Sequence, residues 1–258
     1  KAYQFICSQW SSPRGSLHNR VSFRRHSTRK KHRVSFNVVL TPANANIRVT
    51  RQWLANKLDD EELMLEVEGV VSIYDDQTLA ASGYWAKEDY ELLHQSIVDG
   101  FSDGQALMFR SVSSKAMDFI QSLKNQRPSS ALGQKCGMDD PHQLAVDLKG
   151  NVMTCQNTGA KGKHKIGHVS AMKDVRLTTA THWSHRESCR HCPVLQLCKG
   201  SCMFLNDDLF AQSCENEYHY NMAILAGVLQ SVTGLCLKSV TGDIRRPKLK
   251  RVIRVAAV

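Results

Sequence analysis

The stretch Cys189-Arg-His-Cys192-Pro-Val-Leu-Gln-Leu-Cys198-Lys-Gly-Ser-Cys202 holds four cysteines within fourteen residues. A folded chain buries single cysteines for packing, but packing gives no reason to place four of them so close together. Thiolates at this spacing are typical of a soft metal centre, which is either a tetrahedral zinc ion or an iron–sulfur cluster. The stretch therefore predicts a metal-binding region.

Three further cysteines extend this region in both directions, namely Cys136, Cys155 and Cys214. Four thiolates complete one zinc site, whereas seven in two blocks suggest two centres, one of them a ligand short. Structural zinc stays open as the alternative. A disulfide-stapled module fits less well, because the total of nine cysteines is odd and no secretory signal is visible. We therefore expect a reducing, cytoplasmic location.

The net charge of +10 is unevenly distributed along the 258 residues. Residues 1–58 contain twelve Lys or Arg and no acid, and residues 244–258 contain six and again no acid. The remaining 59–243 hold sixteen basic and all 24 acidic residues, a net charge of −8. An acidic folded middle disfavours nucleic acid as a partner. The competing function is a zinc-binding module whose basic arm contacts nucleic acid or another protein.

Before the cysteines, apolar β-branched runs alternate with helical patterns, which predicts an α+β protein whose first part is layered α/β. The expected strands lie at 34–40, within 63–74 and at 106–109, and the expected helices at 51–62, 87–98 and 113–124. Around the cysteines, residues 143–147 and 151–154 flank a Lys149-Gly150 turn and predict a small hairpin.

Residues 218–237 contain no charged side chain, yet they are too polar for a membrane span. We expect a buried closing helix at about 215–238, with Glu215 and Glu217 in its first turn and Cys236 packed within it. The expected divisions are a disordered basic segment at 1–33, a first domain at 34–130, a cysteine-rich domain with its closing helix at 131–240, and a basic tail at 241–258. The motif Arg127-Pro-Ser-Ser130 predicts the linker.

The seven cysteines and Gly150 resemble the SPASM domain of radical S-adenosylmethionine (SAM) enzymes. That family has a Cys, a Gly nine to fifteen positions later, a Cys after four more residues, a C-x2-C-x5-C-x3-C block and a last Cys. Each spacing between Cys136 and Cys214 falls within this pattern. By the same resemblance, residues 34–130 correspond to the late strands and helices of the partial (β/α)6 barrel that precedes SPASM.

The resemblance implies two auxiliary 4Fe–4S clusters. Cys136, Cys155 and Cys202 would hold the first cluster, and Cys189, Cys192, Cys198 and Cys214 would hold the second. Some relatives complete the first cluster with an upstream cysteine, where this chain has Ser129 and Ser130. The first cluster therefore has an open iron, or its fourth ligand is Cys7, Cys236 or a histidine.

The resemblance also implies the function of a longer enzyme that modifies a peptide or protein. Its clusters would accept an electron or anchor the substrate, and an electron donor or acceptor protein is a further expected partner. Cleavage of SAM requires a C-x3-C-x2-C loop, but Cys7 is the only cysteine before Cys136. We therefore expect SAM only in a full-length form. Gln156 replaces the Asp of sulfatase-maturing relatives, which argues against that substrate.

Overall fold

The computed structural model describes residues 4–6, 35–70, 85–126, 136–161, 164–177, 180–205 and 207–247. Several sequence-based predictions concern residues outside these ranges. They include Cys7, most of the basic segment, the linker at 127–130 and the end of the basic tail. Within the described residues the chain combines a parallel sheet, a small antiparallel sheet and packed helices, which confirms the α+β class.

The parallel sheet has three strands in the order β1 (Gln4–Ile6), β2 (Ser35–Leu40) and β3 (Leu65–Val70). Strand β2 is the β-branched run that the sequence predicts. Strand β1 lies in the segment for which no structure was expected, so that prediction is wrong for these three residues. Pairing with a strand about thirty positions away is a long-range contact, which local pattern does not reveal. Only one strand, β3, lies in the described part of 63–74.

Helix α1 (Ile47–Leu58) connects β2 to β3. It begins before the predicted residue 51 because the Asn46 side chain accepts a hydrogen bond from the Val49 backbone N–H at 3.2 Å and caps the helix. It ends at Asp59, whose φ of 53° is left-handed. Helices α2 (Lys87–Ser102) and α3 (Arg110–Asn125) also extend beyond their predicted bounds.

The apolar run at 106–109 is not a strand as predicted. Residues Gln105–Met108 form a 3-10 helix, and only Phe109 pairs with the sheet, through a single parallel bridge to Leu65. The turn is started by Gly104, whose φ is 79°, and by Asp103, whose side chain accepts from the Gln105 N–H at 3.0 Å. Ala106 and Phe109 of the run are buried, whereas Leu107 is exposed, and the tight turn after α2 leaves no length for a strand.

The second sheet is antiparallel, with β4 (Ala145–Val146), β5 (Asn151–Met153) and β6 (Lys165–His168) in that order. The first two strands confirm the predicted hairpin, and β6 was not predicted. Asp147 organises the turn, since its Oδ1 accepts from the backbone N–H groups of Lys149 and Asn151, both at 2.9 Å. The residue that follows Lys149 is a glycine with φ of 81°.

Two short helices, α4 (Glu187–Arg190) and α5 (Leu195–Cys198), precede the long helix α6 (Asp207–Thr233). The closing helix therefore exists, but it begins eight residues earlier than expected and ends five residues earlier. Glu215 and Glu217 consequently lie beyond its first turn, and Cys236 is exposed after its end. The predictions for these three residues are wrong.

Helix α6 packs against α2 and α3 over the parallel sheet. Tyr220 and Ile224 of α6 share one hydrophobic core with Leu40 and Leu65 of the strands. The contact is close at Gly227, where an added Cβ would lie 2.2 Å from the Phe101 ring. A second core contains Met138, Cys189, Met203, Phe204, Leu205 and Phe210, whereas Cys198 belongs to the first core. Among the described helices, none combines the length and apolar character that crossing a bilayer requires.

Candidate metal centre

Four of the predicted ligands line one pocket. Cys189 lies in α4, Cys192 in the turn after it, Cys198 at the end of α5, and Cys214 is the eighth residue of α6. The empty space of the pocket, including its open mouth, is about 360 Å³. Its walls are completed by apolar side chains, among them Leu195, Phe210 and Tyr218. The structure therefore brings the second predicted ligand set together.

Tight backbone turns position these thiols. The Cys192 N–H donates to the Cys189 carbonyl at 3.1 Å, and the Cys198 N–H donates to the Val194 carbonyl at 2.8 Å. Three consecutive left-handed residues at 199–201 then turn the chain back. Glycine is required in the middle, because a Cβ on Gly200 would lie 2.5 Å from the Trp183 Cβ and its φ is 85°.

The hydroxyl of Ser201 fastens this turn to α6. Its Oγ lies 2.8 Å from the Oγ of Ser213, and both residues are buried. Ser213 directly precedes Cys214, so this hydrogen bond fixes the loop that carries Cys198 and Cys202 relative to the fourth thiol of the pocket. The pocket is thus built from three helices and one loop, held by hydrogen bonds rather than by covalent links.

Burial disfavours the charged form of these thiols. It raises the pKa of Cys189 and of Cys192, and it raises the pKa of Cys214 to about 12. The thiols are therefore neutral at pH 7 unless positive charge stabilises the thiolates. Arg186 lowers the pKa of Cys189, and Arg246 lowers the pKa of Cys214, in opposition to burial. A bound metal centre would supply much more positive charge.

The residue that sequence reasoning missed is Arg186, which is only 7% exposed. Its guanidinium donates to the carbonyls of Gly200 at 2.7 Å, Cys202 at 3.1 Å and Leu205 at 2.7 Å. It also lies 3.9 Å from the centre of the Phe210 ring. Burial lowers the pKa of this arginine, while nearby cysteines, including Cys189 and Cys202, raise it. A buried cation is thus placed between members of both cysteine sets.

In the sequence, Arg190 and Lys199 are the basic residues that stand between the cysteines of the block. Arg190 is exposed and donates to the Ser184 carbonyl, and Lys199 occupies the left-handed turn. Nothing in the spacing distinguishes Arg186 from these two. Its burial follows from contacts with residues 14 to 19 positions later, which only the folded chain shows.

The first predicted set is less closely grouped. Cys136 is exposed, whereas Cys155 and Cys202 are half-buried. Their neighbours meet around the second core: Met138 belongs to it, and the buried His164 lies against Phe204 with ring centres 4.3 Å apart. The Thr154 N–H, next to Cys155, donates to the His164 carbonyl at 3.0 Å. Of the three cysteines, Cys202 packs against this core, and Cys136 and Cys155 lie close in sequence to residues that contact it.

Within the described part of the chain, no group of three or more His, Cys, Asp or Glu side chains is arranged to hold a metal ion. Around a zinc ion at 2.3 Å from each thiolate, neighbouring sulfurs lie about 3.8 Å apart. The four thiols of the pocket would have to turn inward to reach that spacing. None of the eight cysteines that the structure describes forms a disulfide.

Comparison of the chain with protein-family models, with curated proteins and with solved structures found no match.

Proposed function

We propose that this chain is the auxiliary-cluster part of a radical SAM/SPASM protein that modifies a peptide or protein. In this proposal Cys189, Cys192, Cys198 and Cys214 hold one 4Fe–4S cluster. The observation that supports it most directly is that these four thiols, from separate turns and helices, line one pocket. The donor set fits, because four thiolates are the usual ligands of such a cluster.

The charges around the pocket also support an anionic group. A 4Fe–4S core with four thiolates carries a net charge of about −2 in its oxidised form. Arg245 and Arg246 line the pocket, where each also pairs with a carboxylate, and the buried Arg186 interacts electrostatically with Cys189 and Cys214. Burial favours the neutral form of Cys189, so this thiol offers the Arg186 guanidinium no full negative charge. Cluster binding would deprotonate the thiols and give the buried cation an anionic neighbour.

When bound, such a cluster supplies a one-electron acceptor or donor. The chain's own contribution is to exclude water with Leu195 and Phe210, to fix the thiols through its turns, and to place positive charge beside them. The buried Phe204 lies in the second core with Cys189. A reducing compartment such as the cytoplasm would keep these thiols available for iron.

The first cluster, on Cys136, Cys155 and Cys202, belongs to the same proposal with less support. Its support is that Cys202 packs against the second core, as do residues close to Cys136 and Cys155. The candidate fourth ligand Cys7 lies outside the described residues, as do Ser129 and Ser130, which stand where some relatives have a further cysteine, and Cys236 is exposed beyond α6. The parallel strands with their connecting helix are compatible with a barrel remnant at 34–130. S-adenosylmethionine would then act only in a form that carries the missing loop.

The test is anaerobic reconstitution of the full chain with iron and sulfide. We expect a brown protein with broad absorbance near 400 nm and about four iron and four sulfide per cluster, so about eight of each if both sets are loaded. A colourless protein that retains about one zinc per chain would instead support the zinc-binding module. Negligible iron and sulfide would refute the proposal.

The ligand assignment is tested by Cys192→Ala, with Cys236→Ala as the matched control. Both substitutions remove one thiol, but Cys192 lines the pocket whereas Cys236 is exposed beyond α6. We expect Cys192→Ala to lose about half of the iron of a two-cluster protein, and Cys236→Ala to retain all of it. Equal iron in the two variants would contradict the assignment.

A further inference from the structure

The segment after α6 returns along the helix to the thiol pocket. Gly234, with φ of 74°, ends the helix, and the chain continues without regular structure to Arg246, which pairs with Glu215. Between Thr233 and Glu215 the helix rises about 27 Å over eighteen residues. The thirteen residues from 233 to 246 cover this distance at about 2 Å each, well within the reach of an extended chain.

Two arginines anchor the end of this segment to two different helices. Arg246 pairs with Glu215 of α6, and its guanidinium lies 3.7 Å from the centre of the Tyr218 ring. Arg245 pairs with Glu187 of α4. The segment thus spans the gap between the helix that carries Cys214 and the helix that carries Cys189.

Further contacts of Arg245 and Asp243 fix the position of the segment beside the pocket. Arg245 also pairs with Asp243 at 2.8 Å, and Asp243 lies 3.9 Å from the His191 ring nitrogen Nδ1. His191 directly precedes Cys192, so the chain crosses close to three of the four thiols. Arg245 and Arg246 are both part of the pocket wall, and the Arg246 side chain is only 24% exposed.

We propose that residues 234–247 form a strap that closes the pocket of four thiols, with Arg245 and Arg246 as its cationic wall. The sequence predicts residues 234–240 as the end of the cysteine-rich domain with its closing helix and residues 241–247 as part of a basic tail, and their return along α6 assigns them a place at the pocket of four thiols. The strap limits the access of reagents to the pocket whether or not it is loaded. That it also shields an iron–sulfur cluster and balances its negative charge rests on the proposed function.

Alkylation of the metal-free full chain with maleimides tests the strap. The variant Glu187→Gln/Glu215→Gln removes both anchors but keeps the two arginines. We expect Cys192 and Cys214 to react about 3- to 10-fold faster than in the parent protein, because two ion pairs no longer oppose local opening. The exposed Cys136 is the internal reference, and peptide mass spectrometry gives the rate at each cysteine.

A matched control separates opening from the general effect of losing a carboxylate. Glu91→Gln breaks the exposed pair with Lys87 in α2 and should leave both rates unchanged. A bulky maleimide tests whether the gain comes from opening or from a shifted thiol charge. Opening should accelerate the bulky reagent more than N-ethylmaleimide, whereas a shifted charge would accelerate both equally. Circular dichroism verifies that α6 remains helical.

The outcomes of the two proposals are distinguishable because alkylation needs no iron. Unchanged rates, or equal acceleration of both reagents, would overturn the strap even if the parent protein binds iron. Faster, size-dependent alkylation in a protein that cannot be loaded with iron would support the strap and refute the cluster.

Discussion

Replacement of the buried Arg186 is the most informative perturbation of the cysteine region. Arg186→Met keeps a long, flexible side chain but removes the charge and three hydrogen bonds to backbone carbonyls. A typical hydrogen bond contributes about 1 kcal/mol net, so their loss costs up to about 3 kcal/mol. Methionine also avoids the free-energy cost of burying the positive charge, which offsets part of the loss of these hydrogen bonds. We therefore expect the metal-free protein to lose about 1–3 kcal/mol of unfolding free energy.

Arg186→Met should affect the protein that carries an iron–sulfur cluster more strongly than the metal-free protein. With an anionic cluster in the pocket, the guanidinium no longer faces neutral thiols but gains a favourable charge interaction, which the methionine cannot provide. We expect a chelator to remove iron from Arg186→Met at least about tenfold faster, which corresponds to about 1.4 kcal/mol. Arg186→Lys should release iron at an intermediate rate, because lysine keeps the positive charge but cannot reproduce the guanidinium's hydrogen bonds to three carbonyls.

The assays are urea unfolding of the metal-free protein and iron release to a chelator from the loaded protein. The matched control is Arg190→Met, since Arg190 ends the short helix that Arg186 precedes, but is exposed. Unfolding free energies equal to that of the control would show that the three hydrogen bonds contribute nothing net. Equal iron release in the two variants would refute the assignment of Arg186 as the cation that stabilises the loaded site.

Two further predictions concern α6. Gly227→Ala should destabilise the fold by about 1–3 kcal/mol in urea unfolding, because its Cβ would overlap the Phe101 ring, and Gly159→Ala, with nothing within 4 Å, should be nearly neutral. A hydrogen bond from His219 lowers the pKa of Glu215 below its usual value of 4.5. The Glu215 carboxylate therefore stabilises the fold at pH values above 4.5, and this stabilisation is lost as the pH falls through the lowered pKa. The acid limb of a stability–pH curve should therefore be shallower in Glu215→Gln, and an unchanged limb would contradict this.

Local pattern was sufficient for elements whose own residues determine them. Strand β2 and the hairpin could be predicted from the sequence, because a β-branched run and a glycine turn are each defined by a few consecutive residues. Helix α6 was placed too late, because Cys214 was expected to end a loop. In the structure Phe210 and Ala211, which precede Cys214, are already buried residues of α6, so the helix continues through the cysteine.

The features that the sequence did not reveal depend on distant partners. Arg186 and Arg246 look like any other arginine in the sequence, and only the folded chain brings both close to the pocket cysteines. The four cysteines that line the pocket were predicted as one ligand set, since their spacing is a strong local signal. Its cations were not, because a buried charge is defined by what surrounds it.

The length of α6 has a mechanical consequence. Glu217 follows Cys214 by three residues, and its Oε1 would lie 3.3 Å from a Cβ on Gly69 near the carboxyl end of β3. The single helix α6 thus contacts the pocket of four thiols and the edge of the parallel sheet within about one helical turn. Gly227 packs the same helix against Phe101 of α2, so a displacement of α6 would alter all three contacts together.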